Sequence, residues 1–248
     1  MLRFFRHIRK SLMEQNKIRA YIFYAVGEIL LVVIGILLAL QINNWNQQRI
    51  NNNLEEYYLE LLSEELQNNI EFIQWFYLDR YDRKKDALEM LRSYYQGEYK
   101  IRDSTKFALE LGYGAVFGTQ AFQISTAVFD EIISTGNLGI IQDEELRKEL
   151  IGYYSEYETL LVSLRDYDSG YLQAINSYRP FDGEKPDSIS HFDRALVIKM
   201  AKTEELYTMA TAELTYAYQA VAFMLRIREN AENIIALIDE LMVNRKDA

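Results

Sequence analysis

The sequence predicts an all-α protein in which one N-terminal transmembrane helix continues into an antiparallel helical bundle. Three observations carry this. Residues 21–42 form a largely apolar block with a single charge, Glu28. Beyond them, apolar residues recur at three- and four-residue steps, the period of one helix face. Only two prolines and eleven glycines occur in 248 residues, too few to punctuate a strand-and-turn fold.

The span comes first. Its 22 residues reach roughly 33 Å as an α-helix, enough for a bilayer's hydrocarbon core. The apolar run after the acid, Ile29–Leu40, would cover only about 18 Å, so Glu28 must be carried inside the span. Fourteen Ile, Leu, Val and Phe residues each contribute roughly −0.3 to −0.6 kcal/mol near the bilayer centre, against about +3 kcal/mol for one central carboxylate. Insertion wins.

The apolar block is longer than a secretory h-region and ends Ala39-Leu40-Gln41-Ile42 without a small-x-small cleavage site, so it reads as an uncleaved signal anchor. Tyr21, Tyr24 and Trp45 are placed for the two interfacial aromatic belts.

Residues 1–20 hold six Lys or Arg against Glu14, a net +5, which leaves −15 on the remaining 228 residues. The positive-inside rule therefore keeps the N-terminus cytoplasmic and sends residues 43–248 to the far side. Arg3, Arg6, Arg9 and Lys10 alternate with Leu2, Phe5, Ile8 and Leu12, an amphipathic pattern suited to an anionic leaflet. The plainer reading of the same residues is a topogenic signal. The acidic remainder repels phosphate backbones and argues against nucleic-acid binding.

The bundle elements follow in order. Leu54, Tyr58, Leu62, Leu66, Ile73, Tyr77, Leu88 and Leu91 trace one helical stripe towards a stop near Gly97, with Asn51-Asn52-Asn53 the alternative place for a break after the span. Ser104 and Thr105 are candidate caps for a second helix, ending around Gly112–Gly118. A third is expected from near Gln123 to a stop at Gly136. Asp143 caps a long helix running to about Tyr178, before Arg179-Pro180. Phe181–Ser190 is a loop, 193–201 a short helix, and Thr203 caps the last long helix.

Chemistry is hard to find in this chain. No cysteine is available as a nucleophile or zinc ligand, and His7 and His191 should lie on opposite sides of the membrane. No Walker loop, GxGxxG, HExxH, GxSxG or Glu-x-x-His motif occurs. Asp130-Glu131 and Asp143-Glu144-Glu145 could hold a cation, but acids at helix starts ordinarily complement the dipole and face water. The expectation is a protein without catalytic, cofactor or metal residues.

Nineteen tyrosines include the pairs Tyr57-Tyr58, Tyr94-Tyr95 and Tyr153-Tyr154. Adjacent helical residues point about 100° apart, so one ring of each pair should face the core and one the rim. The alternatives are a ligand-binding aromatic surface and plain core packing.

Glu28 is the sharpest anomaly. Gly35 and Ala39 each lie within about 20° of its direction on a helix, giving a face where another helix can approach closely. The carboxyl can hydrogen-bond across a homo-oligomeric pair, meet a cation of another membrane protein, titrate within an ion-coupled complex, or snorkel as a tolerated acid.

Tyr24–Leu40, followed by Ile42-Asn43-Asn44-Trp45-Asn46, resembles the N-terminal signature of an uncharacterised family of single-pass membrane proteins from Bacteroidota. Arg3-Phe4-Phe5-Arg6 and the stretch Phe129–Leu138 (FDEIISTGNL) are similar to that family as well. The resemblance implies a Gram-negative inner membrane and a periplasmic bundle, and it implies no activity. The expected role is a partner- or ligand-binding scaffold or sensor whose span contacts a second copy or another membrane protein within the lipid bilayer.

Overall fold

The computed structural model describes residues 18–117, 122–165, 168–178 and 182–246, all of whose regular elements are helical. It divides into two compact units, Met1–Glu55 and Glu56–Ala248. Helix α1, Ile18–Phe72, runs without interruption, so Asn51-Asn52-Asn53 are helical and mark no break.

In the first unit the described chain is this helix alone. Its most apolar 18-residue window has a mean hydropathy of 2.5 with none of it buried, which makes it long and apolar enough to cross a membrane. Phe23 is 78% exposed and Ile42 65%.

In the second unit α1 passes through a π-helical turn, Ile73–Leu78, into α2, Asp79–Gln96. The turn has a sequence cause. Asn69, Ile73, Tyr77 and Tyr81 are buried at three successive four-residue steps. On an α-helix each such step rotates the buried face by about 40°, and a wider turn absorbs that drift. Gly97, at φ 85°, ends α2 as the sequence leads one to expect.

After α2 come α3 (Ser104–Tyr113), α4 (Ala127–Ser134), a 3-10 turn (Asn137–Ile140) and α5 (Glu144–Arg165). α6 (Gly170–Tyr178), α7 (His191–Met200) and α8 (Glu204–Lys246) complete the order. Helix α8 is antiparallel to the π turn and α2: Gln74, Lys84 and Tyr95 meet Arg228, Glu213 and Tyr207 in turn. Leu206, Ala210, Glu213, Ala217, Ala220, Met224, Ile227, Ala231, Ile234 and Ile238 form a buried stripe that alternates steps of four and three, with Leu214 buried beside it. That is the spacing of a knobs-into-holes seam, and its alanines permit close approach.

Local details depart from the sequence reading in three places. The cap of α3 is Asp103, whose Oδ1 accepts from the amides of Thr105 (2.8 Å) and Lys106 (3.0 Å), not Ser104 or Thr105. Asp is as good a cap as Ser, and position 103 reaches both amides. The third helix begins at Ala127, not near Gln123, because residues 122–126 run irregularly along other helices. The helix expected to reach Tyr178 is two helices, α5 and α6, the second starting at Gly170 with Ser169 Oγ accepting from the Leu172 amide (3.0 Å). Asp143, Gly136 and Thr203 act as expected, Asp143 Oδ1 accepting from Leu146 N at 2.7 Å.

Candidate functional site

Glu28, Gly35 and Ala39 all lie on α1, with Glu28 half-buried and Ala39 exposed. A Cβ added at Gly35 would meet nothing within 4 Å, so this side of the helix is open. Arg3, Arg6, Arg9, Lys10 and His7 lie outside the described residues. His191 opens α7 at an exposed position, next to the cap Ser190.

The second unit holds two polar centres in its core. At the first, Lys84 and Glu213 form an ion pair with both side chains wholly inaccessible. Lys84 Nζ also donates to the Val116 carbonyl (2.7 Å), and Ser169 Oγ donates to Glu213 Oε2 (2.6 Å). Burial pushes the Lys84 ammonium below its ordinary value, the Glu213 carboxylate pulling the other way. Tyr216 is pushed up to about 12, first by burial and then by Glu213. Tyr171 donates to the Leu111 carbonyl (2.8 Å) against Gly114, and burial raises its phenol strongly. The centre ties α2, α8, the start of α6 and the residues after α3 to one carboxylate.

The second centre is Glu65 on α1. Its Oε1 accepts from Tyr154 OH (2.8 Å), and its Oε2 accepts from Ser125 Oγ (2.8 Å) and the Val128 amide (2.9 Å). The last contact gives α4 a negative partner at its N-terminus, supplied by another helix. Asn69 donates to the Ser125 carbonyl and accepts from the Ser125 amide, both at 2.8 Å. The Gln123 amide donates to Tyr77 OH (2.9 Å) and the Ile124 amide to Tyr157 OH (3.1 Å). The amides of residues 123–125 thus find side-chain acceptors where a sheet would use another strand.

The motif Phe129–Leu138 is held by the same helices. Phe129 stacks on Tyr154 with ring centroids 4.1 Å apart. Tyr58 OH donates to Glu131 Oε1 (3.3 Å) and accepts from Asn137 Nδ2 (3.1 Å). Thr126 Oγ1 donates to Asp130 Oδ2 (2.7 Å). Among the described residues no group of three or more His, Asp or Glu is placed to hold a metal.

The tyrosine pairs split as expected twice. Tyr57 is 53% exposed beside buried Tyr58, and exposed Tyr95 follows half-buried Tyr94. Tyr153 and Tyr154 are both buried, because α5 is covered on two sides there. A surface groove of about 190 Å³ beside Met90, Tyr99, Phe107, Arg102 and Lys106 falls below the roughly 300–1,000 Å³ of ordinary ligand sites.

Lys84, Glu213, Glu65, Asn69 and Ser169 were not singled out from the sequence. A signal was present: Lys84 falls in the Tyr81, Leu88, Leu91 register, and Glu213 in that of Ala210 and Ala217. A charged residue at an apolar register position announces a buried partner.

One family model matches residues 28–179, which is more than half of the chain. The chain belongs to DUF6090, a family of unknown function. The DUF6090 match takes in Glu28, Gly35, Ala39, the whole Glu65 centre and Phe129–Leu138, and it stops before Glu213 and α8. No curated protein and no solved structure matches this DUF6090 chain.

Proposed function

We propose that this DUF6090 protein is a non-catalytic, single-pass membrane scaffold. Its N-terminus is cytoplasmic, its helical bundle periplasmic and partner-binding, and its span associates through Glu28, Gly35 and Ala39. The observation that carries the reading is the exposure of α1: an apolar window of mean hydropathy 2.5 without one buried residue has no cover except lipid or another helix. The open side at Gly35 supports the second part.

Because the chain has no cysteine, single cysteines report topology cleanly. In intact cells with a permeabilised outer membrane, Ser134→Cys should react with an impermeant maleimide, and Ser11→Cys only after the inner membrane is breached. Alkaline carbonate should leave the full chain in the membrane pellet. Release into the supernatant, or the reverse labelling, overturns the topology. Glu28→Gln and Gly35→Leu should each lower oligomer or partner cross-linking in membranes, and unchanged cross-linking in both removes the association face.

A further inference from the structure

Two tyrosines far apart in the chain come face to face where α2 ends and α8 begins. Tyr95 and Tyr207 stack with ring centroids 4.6 Å apart and planes 27° from parallel. Tyr95 is 36% exposed and Tyr207 half-buried, so both meet solvent. Tyr57–Tyr58 and Tyr153–Tyr154 differ, each joining chain neighbours with rings at 51° and 87°. A covalent bond inside those pairs would tie no element to another.

The surroundings of Tyr207 also favour its oxidation. Gln96 Nε2 donates to its hydroxyl at 3.2 Å, and the Arg92 guanidinium lies 5.6 Å from its ring centroid. Hydrogen bonding from Arg92, and next from Gln96, holds the Tyr207 phenol below its ordinary value. A phenol nearer to ionisation gives up an electron more readily, because the phenolate's extra charge eases its removal. The chain has no cysteine, so no thiol competes for the oxidant.

We infer that Tyr95 and Tyr207 are a modification site, where one-electron oxidation forms an intrachain dityrosine joining α2 to α8. The co-reactant is hydrogen peroxide used by a haem peroxidase. Each phenol loses one electron and its hydroxyl proton. The two phenoxyl radicals couple through ring carbons beside their oxygens. The hydrogens on those carbons pass to the oxygens as protons, restoring both rings and both hydroxyls. One hydrogen peroxide takes up the two electrons and two protons and leaves as two waters. The new bond closes a loop that contains α3 to α7. It restricts the unfolded chain as a disulfide of that span would. The site is independent of the membrane topology.

The test treats the full-length protein in detergent with hydrogen peroxide and a haem peroxidase. Dityrosine fluorescence gives the yield, and mass spectrometry of proteolytic fragments gives the positions joined. The expected product is a single chain lighter by two hydrogens, its Tyr95 fragment bonded to its Tyr207 fragment, with a raised denaturation midpoint. Tyr95→Phe and Tyr207→Phe keep the stack and should each lower intrachain dityrosine several-fold, whereas Tyr94→Phe should leave it unchanged. Arg92→Gln should lower the yield several-fold at neutral pH and recover it at mildly alkaline pH. Links found only between chains, or mainly among other tyrosines, overturn the site. So does an unchanged yield in Tyr95→Phe, or no dityrosine at a dose that cross-links free tyrosine. A yield and pH profile that Arg92→Gln leaves unmoved overturn the part assigned to Arg92.

Discussion

Lys84 and Glu213, 129 positions apart in the chain, meet as an ion pair with no solvent access to either side chain. Removing one partner strands the other charge in the core, at a cost of about 3–5 kcal/mol. Lys84→Met and Glu213→Leu are each expected to lower the unfolding free energy of the full-length protein in detergent by that amount. The double variant should recover part of it, since an apolar pair needs no desolvation, while the Val116 carbonyl and the Ser169 hydroxyl lose their partners. A double variant as unstable as the sum of the singles contradicts the pairing.

Alkaline pH should loosen the bundle from the phenol side. Burial holds the Tyr81, Tyr154 and Tyr171 phenols above the ordinary value of 10.0, so the folded chain keeps protons that the unfolded chain loses. Their contribution is complete below pH 10 and is lost as pH rises beyond it. Lys84 acts oppositely. With its folded value below 10.5, the unfolded chain binds the extra proton just below that pH, and stability from this group rises towards it. Three phenols outweigh one amine, so the net slope above pH 10 is downward. Phenolate absorbance should rise in two phases, the later one coinciding with loss of helical circular dichroism.

Glu65 makes a local prediction. Glu65→Ala leaves Tyr154 OH, Ser125 Oγ and the Val128 amide without their acceptor, each orphaned group costing about 1–3 kcal/mol. Hydrogen exchange should quicken first at Ser125 and Val128, while amides in the middle of α8 stay protected. Uniform acceleration across the bundle contradicts this anchoring role.

Two glycines should respond with opposite sign. A Cβ at Gly114 would lie 2.9 Å from both Leu88 Cδ2 and Tyr171 Cε1, so Gly114→Ala should destabilise by about 1–3 kcal/mol. Gly152 sits in the interior of α5 with nothing within 4 Å of an added Cβ. Gly152→Ala should stabilise by about 0.5–1 kcal/mol through helix propensity alone. Thermal melts of the two variants decide both.

The fold was legible because its signals are local and periodic. Gly97, Gly136, Asp143 and Thr203 stop or start helices through their own backbone or side-chain chemistry, and each does so where the residue type demands. The split between α5 and α6 was not legible, since Leu160 and Tyr171 keep an apolar pattern across a stretch whose capping residue, Ser169, is recruited by Glu213 from another helix. The irregular course of residues 122–126 was hidden for the same reason. Its backbone partners, Asn69, Tyr77 and Tyr157, come from segments 33 to 56 positions away. Long-range polar contacts leave a mark in the sequence only as a misplaced charge or amide within an apolar register, as Lys84, Glu213 and Asn69 do.

The π turn at Ile73–Leu78 bears on how the chain tolerates a change of length. In an ordinary α-helical turn, losing one residue swings every later side chain about 100° around the axis relative to the earlier ones. Inside the wide turn, losing one residue can be met by tightening to an ordinary α turn while both flanks keep their faces. Within these two helices, that turn is where homologous chains can differ by a residue and still bury the same stripe.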